Sequence, residues 1–107
     1  MKKQSKYKNV KTVVDGIKFD SKLEAKRYGS LKLLKAAGEI ESFELQKRYP
    51  LVVNGVKICT YVCDFVVNYP NGARVIEDTK GVLTPDFKLK MKLMKAIYNI
   101  DIQLIKK

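Results

Sequence analysis

Two hydrophobic rhythms alternate along the chain. From residue 20 to residue 38 the apolar positions recur at helical spacing, with Leu23, Tyr28, Leu31 and Leu34 on one side. Asp20 or Ser21 can cap the start of this stretch and Gly38 can stop it, so a helix is predicted between them. Ahead of it, residues 12–19 (TVVDGIKF) read as two short extended pieces around an Asp15-Gly16 hairpin turn. Three segments rich in β-branched and aromatic residues follow, roughly 40–53, 57–69 and 73–79. Asn54-Gly55 and Pro70-Asn71-Gly72 separate them, so they read as an antiparallel meander. Thr84-Pro85-Asp86 opens a second helix with a capping hydroxyl and a proline at the first helical position. Its packing stripe is Phe87, Met91, Met94 and Tyr98, with Lys88, Lys92 and Lys95 on a neighbouring face. Residues 101–105 form a last strand. The order helix, three strands, helix, strand predicts an α/β/α sandwich in which the second helix is a crossover, making the last strand parallel to the third.

The chain has 107 residues, enough for one modest core and too few for two of ordinary size. Residues 1–11 carry five lysines and no acid, and are expected to be a flexible basic arm ahead of one domain, 12–107. Lysine and arginine number 22 against 11 acidic residues, a formal charge of +11 that favours polyanionic partners. Charge does not separate binding a nucleic acid from cutting it. No apolar run approaches the roughly 20 residues of a membrane span, and no signal core follows the first residues, so a soluble, cytoplasmic protein with no membrane partner is expected. Cys59 and Cys63, four residues apart in an extended stretch, would lie roughly 13 Å from each other, too far for a disulfide. The chain has no histidine. Ser-His and Cys-His catalysis are therefore excluded and a structural zinc site is disfavoured, which leaves carboxylates, lysines, tyrosines and metal ions.

Among those groups one arrangement stands out. In ARVIEDTKG the strand period of two puts Ile76, Asp78 and Lys80 on one face and Val75, Glu77 and Thr79 on the other. In YVCDFVVNY, Asp64 shares a face with Val62 and Val66, so a charge interrupts an apolar row, which is costly unless a partner or a metal offsets it. If these strands are hairpin neighbours, Asp64 and Asp78 meet, and two converging carboxylates suit magnesium. An exposed strand pair with Lys80 bridging Asp78 is the bland alternative. Glu24 also has two readings. Ser21-Lys22-Leu23-Glu24 fits a capping box. On the helical wheel, however, Glu24 lies roughly 20° from Leu31 and about 40° from Tyr28, on the packing face, from which it can reach the two aspartates.

A helical glutamate, a strand aspartate and then Asp-x-Lys, here Glu24, Asp64 and Asp78-Thr79-Lys80, resemble the PD-(D/E)XK nuclease superfamily. More narrowly, KYKNV, DGIKFDSKLEAKRY, AGEIESFELQKRYPL, YVCDF, VIEDTKG and TPDFKLKMKL look like a phage-encoded family of that superfamily catalogued as a domain of unknown function. The resemblance spans Lys6 to Ile105 in six ordered matches. Cys63 stands where the superfamily's name expects proline, and only Asp78 has the two-residue offset from Lys80 that Glu77 lacks. Gln46 matches a glutamine of the family pattern, an auxiliary group or a sheet-surface hydrogen bond.

The resemblance implies a restriction-endonuclease-like fold with a mixed sheet flanked by helices. It also implies magnesium-dependent cleavage of DNA, with manganese able to substitute, and relatives that include junction resolvases. On this reading Asp64, Asp78 and the main-chain carbonyl of Thr79 ligate the metal. Glu24 holds a second ion or orients water, and Lys80 orients or deprotonates the nucleophile. Lys6, Lys8, Lys22, Lys26, Arg27, Lys88, Lys92 and Lys95 are the expected nucleic-acid contacts. A two-strand substrate calls for two sites, hence a homodimer. The setting implied is the cytoplasm of a bacterial host, the protein being phage- or prophage-encoded. The competing readings are a binding module that does not cut, and a nuclease subunit active only with phage or host recombination or packaging proteins.

Overall fold

Asp15 and Gly16 both take positive φ, 54° and 76°, the twist that a two-residue hairpin turn requires. They join β1 (Thr12–Val14) to β2 (Ile17–Phe19). The computed structural model describes residues 11–80 and 82–106. The arm residues 1–10, Lys6 and Lys8 among them, lie outside the described residues.

Helix α1 (Lys22–Ala36) starts at Ser21, whose hydroxyl accepts the Glu24 amide at 3.1 Å. Past its end, Gly38 at φ 79° lets the amides of Gly38 and Glu39 turn back to the carbonyls of Lys35 and Leu34. Helix α2 (Pro85–Tyr98) is capped by Thr84 and stopped by Asn99 in the left-handed region. Both helices thus follow their capping residues. Tyr98, expected in the α2 stripe, lies at the margin instead, with its hydroxyl donating to the Pro50 carbonyl.

The meander differs from the sequence expectation. Residues 40–53 are not one strand but two, β3 (Ser42–Leu45) and β4 (Arg48–Val53), and residues 57–69 divide into β5 (Val56–Val62) and β6 (Phe65–Asn68). The breaks face each other. Gln46 sits at φ 50° and its amide donates to the Asp64 carbonyl at 3.0 Å, while the Cys63 amide donates to the Lys47 carbonyl at 3.1 Å. One long ribbon is therefore bent at Gln46 and at Cys63-Asp64. Its β3–β6 half joins a sheet, and its β4–β5 half leaves that sheet to pack with α2. The bend also corrects the expected facing of Asp64, which belongs to neither strand. Val62 points outward, 38% exposed, and Val66 is buried. Cys59 lies in β5 and Cys63 just beyond it, and both are free thiols.

The sheet order is β3-β6-β7-β8, with β7 (Arg74–Thr79) antiparallel to β6 and parallel to β8 (Gln103–Ile105). The crossover role of α2 is thus as expected. Alternation along β6 divides the core between the two faces of the sheet. Phe65 and Val67 pack with Phe19, Ala25, Tyr28 and Leu31 on the α1 side. Val66 and Ile76 pack with Phe87, Met94 and Ile102 of the α2 side, and with Tyr49, Leu51 and Tyr61 of the bent hairpin. Among the described residues the result is a mixed α/β fold with a mixed four-stranded sheet and two helices. Among the described residues no helix is long and apolar enough to cross a membrane.

Candidate active site

Strand β7 carries acids toward both faces of the sheet. Glu77 faces α1, where Arg27 binds it with two arms, Nε to Oε1 at 2.8 Å and Nη2 to Oε2 at 2.7 Å. Asp78 faces the other way and is 1% exposed. The Tyr61 hydroxyl of β5 donates to its Oδ2 at 2.7 Å, while Oδ1 is buried without a hydrogen-bond partner. Lys80 follows β7 with its ammonium 3.9 Å from that Oδ1 and 4.7 Å from the centre of the Phe87 ring.

Asp64 reaches this point because the ribbon bends. β6 begins only at Phe65, so the end of β7 runs past it, and Asp64 covers that end with its side chain. Its Oδ2 accepts both the Thr79 amide, at 2.8 Å, and the Thr79 hydroxyl, at 2.6 Å. The main-chain group of Thr79 in contact with Asp64 is thus the amide. Glu24 comes from the first turn of α1, 4% exposed, with Oε1 accepting the Asp20 amide at 3.2 Å. It therefore caps the helix start while its carboxyl lies near that of Asp64.

The electrostatics record this convergence. Burial first, and then the facing Asp64 carboxylate, push the Glu24 carboxyl up to about 7. Burial and then Asp64 also raise Asp78 well above the usual carboxylate range, against the opposing pull of Tyr61 and Lys80. Burial and Asp78 hold the Tyr61 phenol far above its ordinary value, so it remains a donor. Burial pushes the Cys63 thiol up to about 11, leaving an inert side chain at the bend.

These groups suit a hard divalent cation in two respects. The donors are carboxylate oxygens, and one of them, Asp78 Oδ1, is buried and unpartnered. Among the described residues, however, no three acidic, cysteine or histidine side chains form a ready ligand group. Asp64 and Asp78 are then the side-chain ligands available. That set fits magnesium, which commonly takes one or two carboxylates and fills its octahedron with water and substrate phosphate.

The remaining candidates are scattered. Lys22, Lys26, Lys88, Lys92 and Lys95 are exposed on the two helices, Lys95 within 3.1 Å of Asp101. Arg27 is engaged by Glu77 rather than free on the surface. Gln46 is exposed, and its backbone rather than its side chain shapes the bend beside Asp64. Sequence reasoning missed Tyr61, the Thr79 hydroxyl and the Phe87 ring.

The chain belongs to the family described as Protein of unknown function (DUF1064), which matches residues 4–106. No curated protein and no solved structure matches it.

Proposed function

We propose that this member of the family is a metal-dependent DNA endonuclease of the PD-(D/E)XK type, with Glu24, Asp64, Asp78 and Lys80 as its catalytic centre. The observation that carries the reading is the meeting of Asp64, Asp78 and Lys80 at the end of β7 around an unpartnered carboxylate oxygen. Buried polar atoms ordinarily have a hydrogen-bond partner, and this oxygen has none.

Magnesium, when bound, supplies a Lewis acid that polarises the phosphodiester and makes water a better nucleophile. Asp64 and Asp78 would hold it, each already fixed through its other oxygen by Thr79 or Tyr61. Lys80, its ammonium over the Phe87 ring and beside Asp78, would orient the attacking water and offset charge as it grows on the phosphate. Glu24, beside Asp64, would accept a proton from that water. Both helices begin at this end of the sheet, at Ser21 beside Glu24 and at Thr84 just before Phe87, so their positive dipole ends would favour a phosphate bound there. The exposed lysines of α1 and α2 would carry the flanking DNA, in the cytoplasm of a bacterial host and with or without a partner that chooses the target.

A binding module that does not cut is the second reading, favoured by the lack of a three-ligand group among the described residues. Single-stranded, duplex, flapped and four-way-junction DNA, incubated with magnesium, manganese or chelator beside Asp78→Asn, separates the two. Metal-dependent cutting that the variant loses supports the nuclease; salt-sensitive binding with no cutting under any condition leaves the binding module.

A further inference from the structure

Asp78 is anchored through one oxygen. Oδ2 takes the Tyr61 hydroxyl at 2.7 Å, and Oδ1 has no hydrogen-bond donor although it is buried. Tyr61, 2% exposed, does not come from the four-stranded sheet. It arrives from β5, in the half of the ribbon that bends across the α2 face. Its ring is braced by Phe87, with centroids 6.2 Å apart, and Phe87 in turn underlies the Lys80 ammonium. Asp64 is treated in the same way, since both Thr79 donors fall on its Oδ2. A carboxylate anchored through one oxygen resists the turn that would bring both oxygens evenly onto a cation, because that turn bends the anchoring bond. Magnesium and manganese favour single-oxygen carboxylate ligation in a near-octahedral shell, whereas calcium tolerates two-oxygen ligation in a larger one.

We infer that Tyr61 is a positioning residue of the metal site, holding Oδ2 of Asp78 so that Oδ1 alone is presented to the cation and small octahedral ions are preferred over calcium. The inference rests on the nuclease reading above. Groups of this outer kind orient ligands, and their loss typically lowers metal affinity about 10- to 100-fold.

The test is a calorimetric titration of Mn2+ and of Ca2+ into the whole protein and into Tyr61→Phe, a change that keeps the braced ring and removes the donor. The expected result is a Mn2+ dissociation constant raised about 10-fold or more and a smaller change for Ca2+. Unchanged Mn2+ affinity overturns the inference, and so does an equal loss for both ions, which is what general damage to the site would give. If the unsubstituted protein binds neither ion, the nuclease reading fails and takes the inference with it, an outcome distinct from the other two. A second readout needs no change at Tyr61. With tyrosine labelled at 13Cζ and the signals assigned by substituting the other tyrosines, Mg2+ should shift the Tyr61 resonance and leave that of Tyr98, which bonds to Pro50. A Tyr61 signal that ignores bound Mg2+ also overturns the proposal.

Discussion

Arg27 and Glu77 join α1 to β7 by a two-armed ion pair, with Glu77 2% exposed and Arg27 21%. Glu24 lies one turn before Arg27 on the helix and Asp78 one residue after Glu77 on the strand, so the pair ties together the two elements that carry these carboxylates. Removing one partner strands a buried charge, at a cost of about 3–5 kcal/mol, whereas replacing both with apolar groups costs far less. Arg27→Met should therefore lower stability by about that amount, and Arg27→Met/Glu77→Leu should recover most of it. Urea unfolding of the single and double variants measures the coupling. Additive losses would show that the pair does not hold the helix to the strand.

Lys80 is the one cation within 4 Å of Asp78 among the described residues, and its ammonium lies over the Phe87 ring. Lys80→Met keeps an unbranched side chain beside that ring and removes the charge. Cutting should fall by a factor of about 100 or more, in the range of lost transition-state electrostatic groups, while Mn2+ binding stays within a few-fold or tightens. Parallel kinetic and titration measurements check this. Loss of metal binding in the variant would make Lys80 a structural partner of Asp78 rather than a catalytic group.

The parts of the fold written in local chemistry were legible in the sequence. Asp15-Gly16 makes its turn, Ser21 and Thr84 cap their helices, and the period of two in ARVIEDTKG separates Asp78 from Glu77 as expected. The ribbon bend was not legible, because Gln46-Lys47 and Asp64, the polar residues at its two breaks, include no glycine or proline to mark a turn. Tertiary packing decides it: Tyr49, Leu51 and Tyr61 bury themselves against α2 only if the hairpin leaves the sheet. Asp64 was therefore picked out by an alternation in which it does not take part, yet the bend carries it to Asp78 all the same. Tyr61 and Asp78 meet only after the bend, and strand periodicity cannot predict that contact.

Protons should compete with metal at the site. The Glu24 carboxyl is raised from 4.5 to about 7, and Asp78 is raised as well. Between the unfolded and folded values the folded chain holds protons that the unfolded chain has released. This contribution to stability therefore falls as pH rises, by up to about 1.4 kcal/mol for each pH step of one, per carboxyl. For Glu24 it is fully present below about pH 4.5 and lost above about pH 7. In chelator, melting temperature should drop between pH 5 and pH 8 more steeply for the unsubstituted protein than for Glu24→Gln or Asp78→Asn. Comparison within the set cancels the other titrating groups. Added Mg2+ should restore stability at pH 8 and do little at pH 5, where the carboxyls are protonated. Equal pH slopes in all three proteins would remove the buried carboxylate cluster as their cause.

DNA affinity should depend on salt in proportion to the lysines that touch phosphate. Each neutralised phosphate of duplex DNA contributes about 0.9 to the slope of log affinity against log salt. Lys88 and Lys92 are exposed on α2, and Lys22 and Lys26 on α1, the two helices whose first turns flank Asp78 and Glu24. Arg27, held by Glu77, is expected to add little. Lys88→Gln/Lys92→Gln and Lys22→Gln/Lys26→Gln are each predicted to lower the slope by roughly 1 to 2 and to weaken binding alike on every DNA sequence. Fluorescence anisotropy across a salt series, in chelator so that nothing is cut, gives the slopes directly. If one pair changes the slope and the other does not, the DNA lies along that helix alone; if neither does, the basic surface that grips DNA lies elsewhere on the chain.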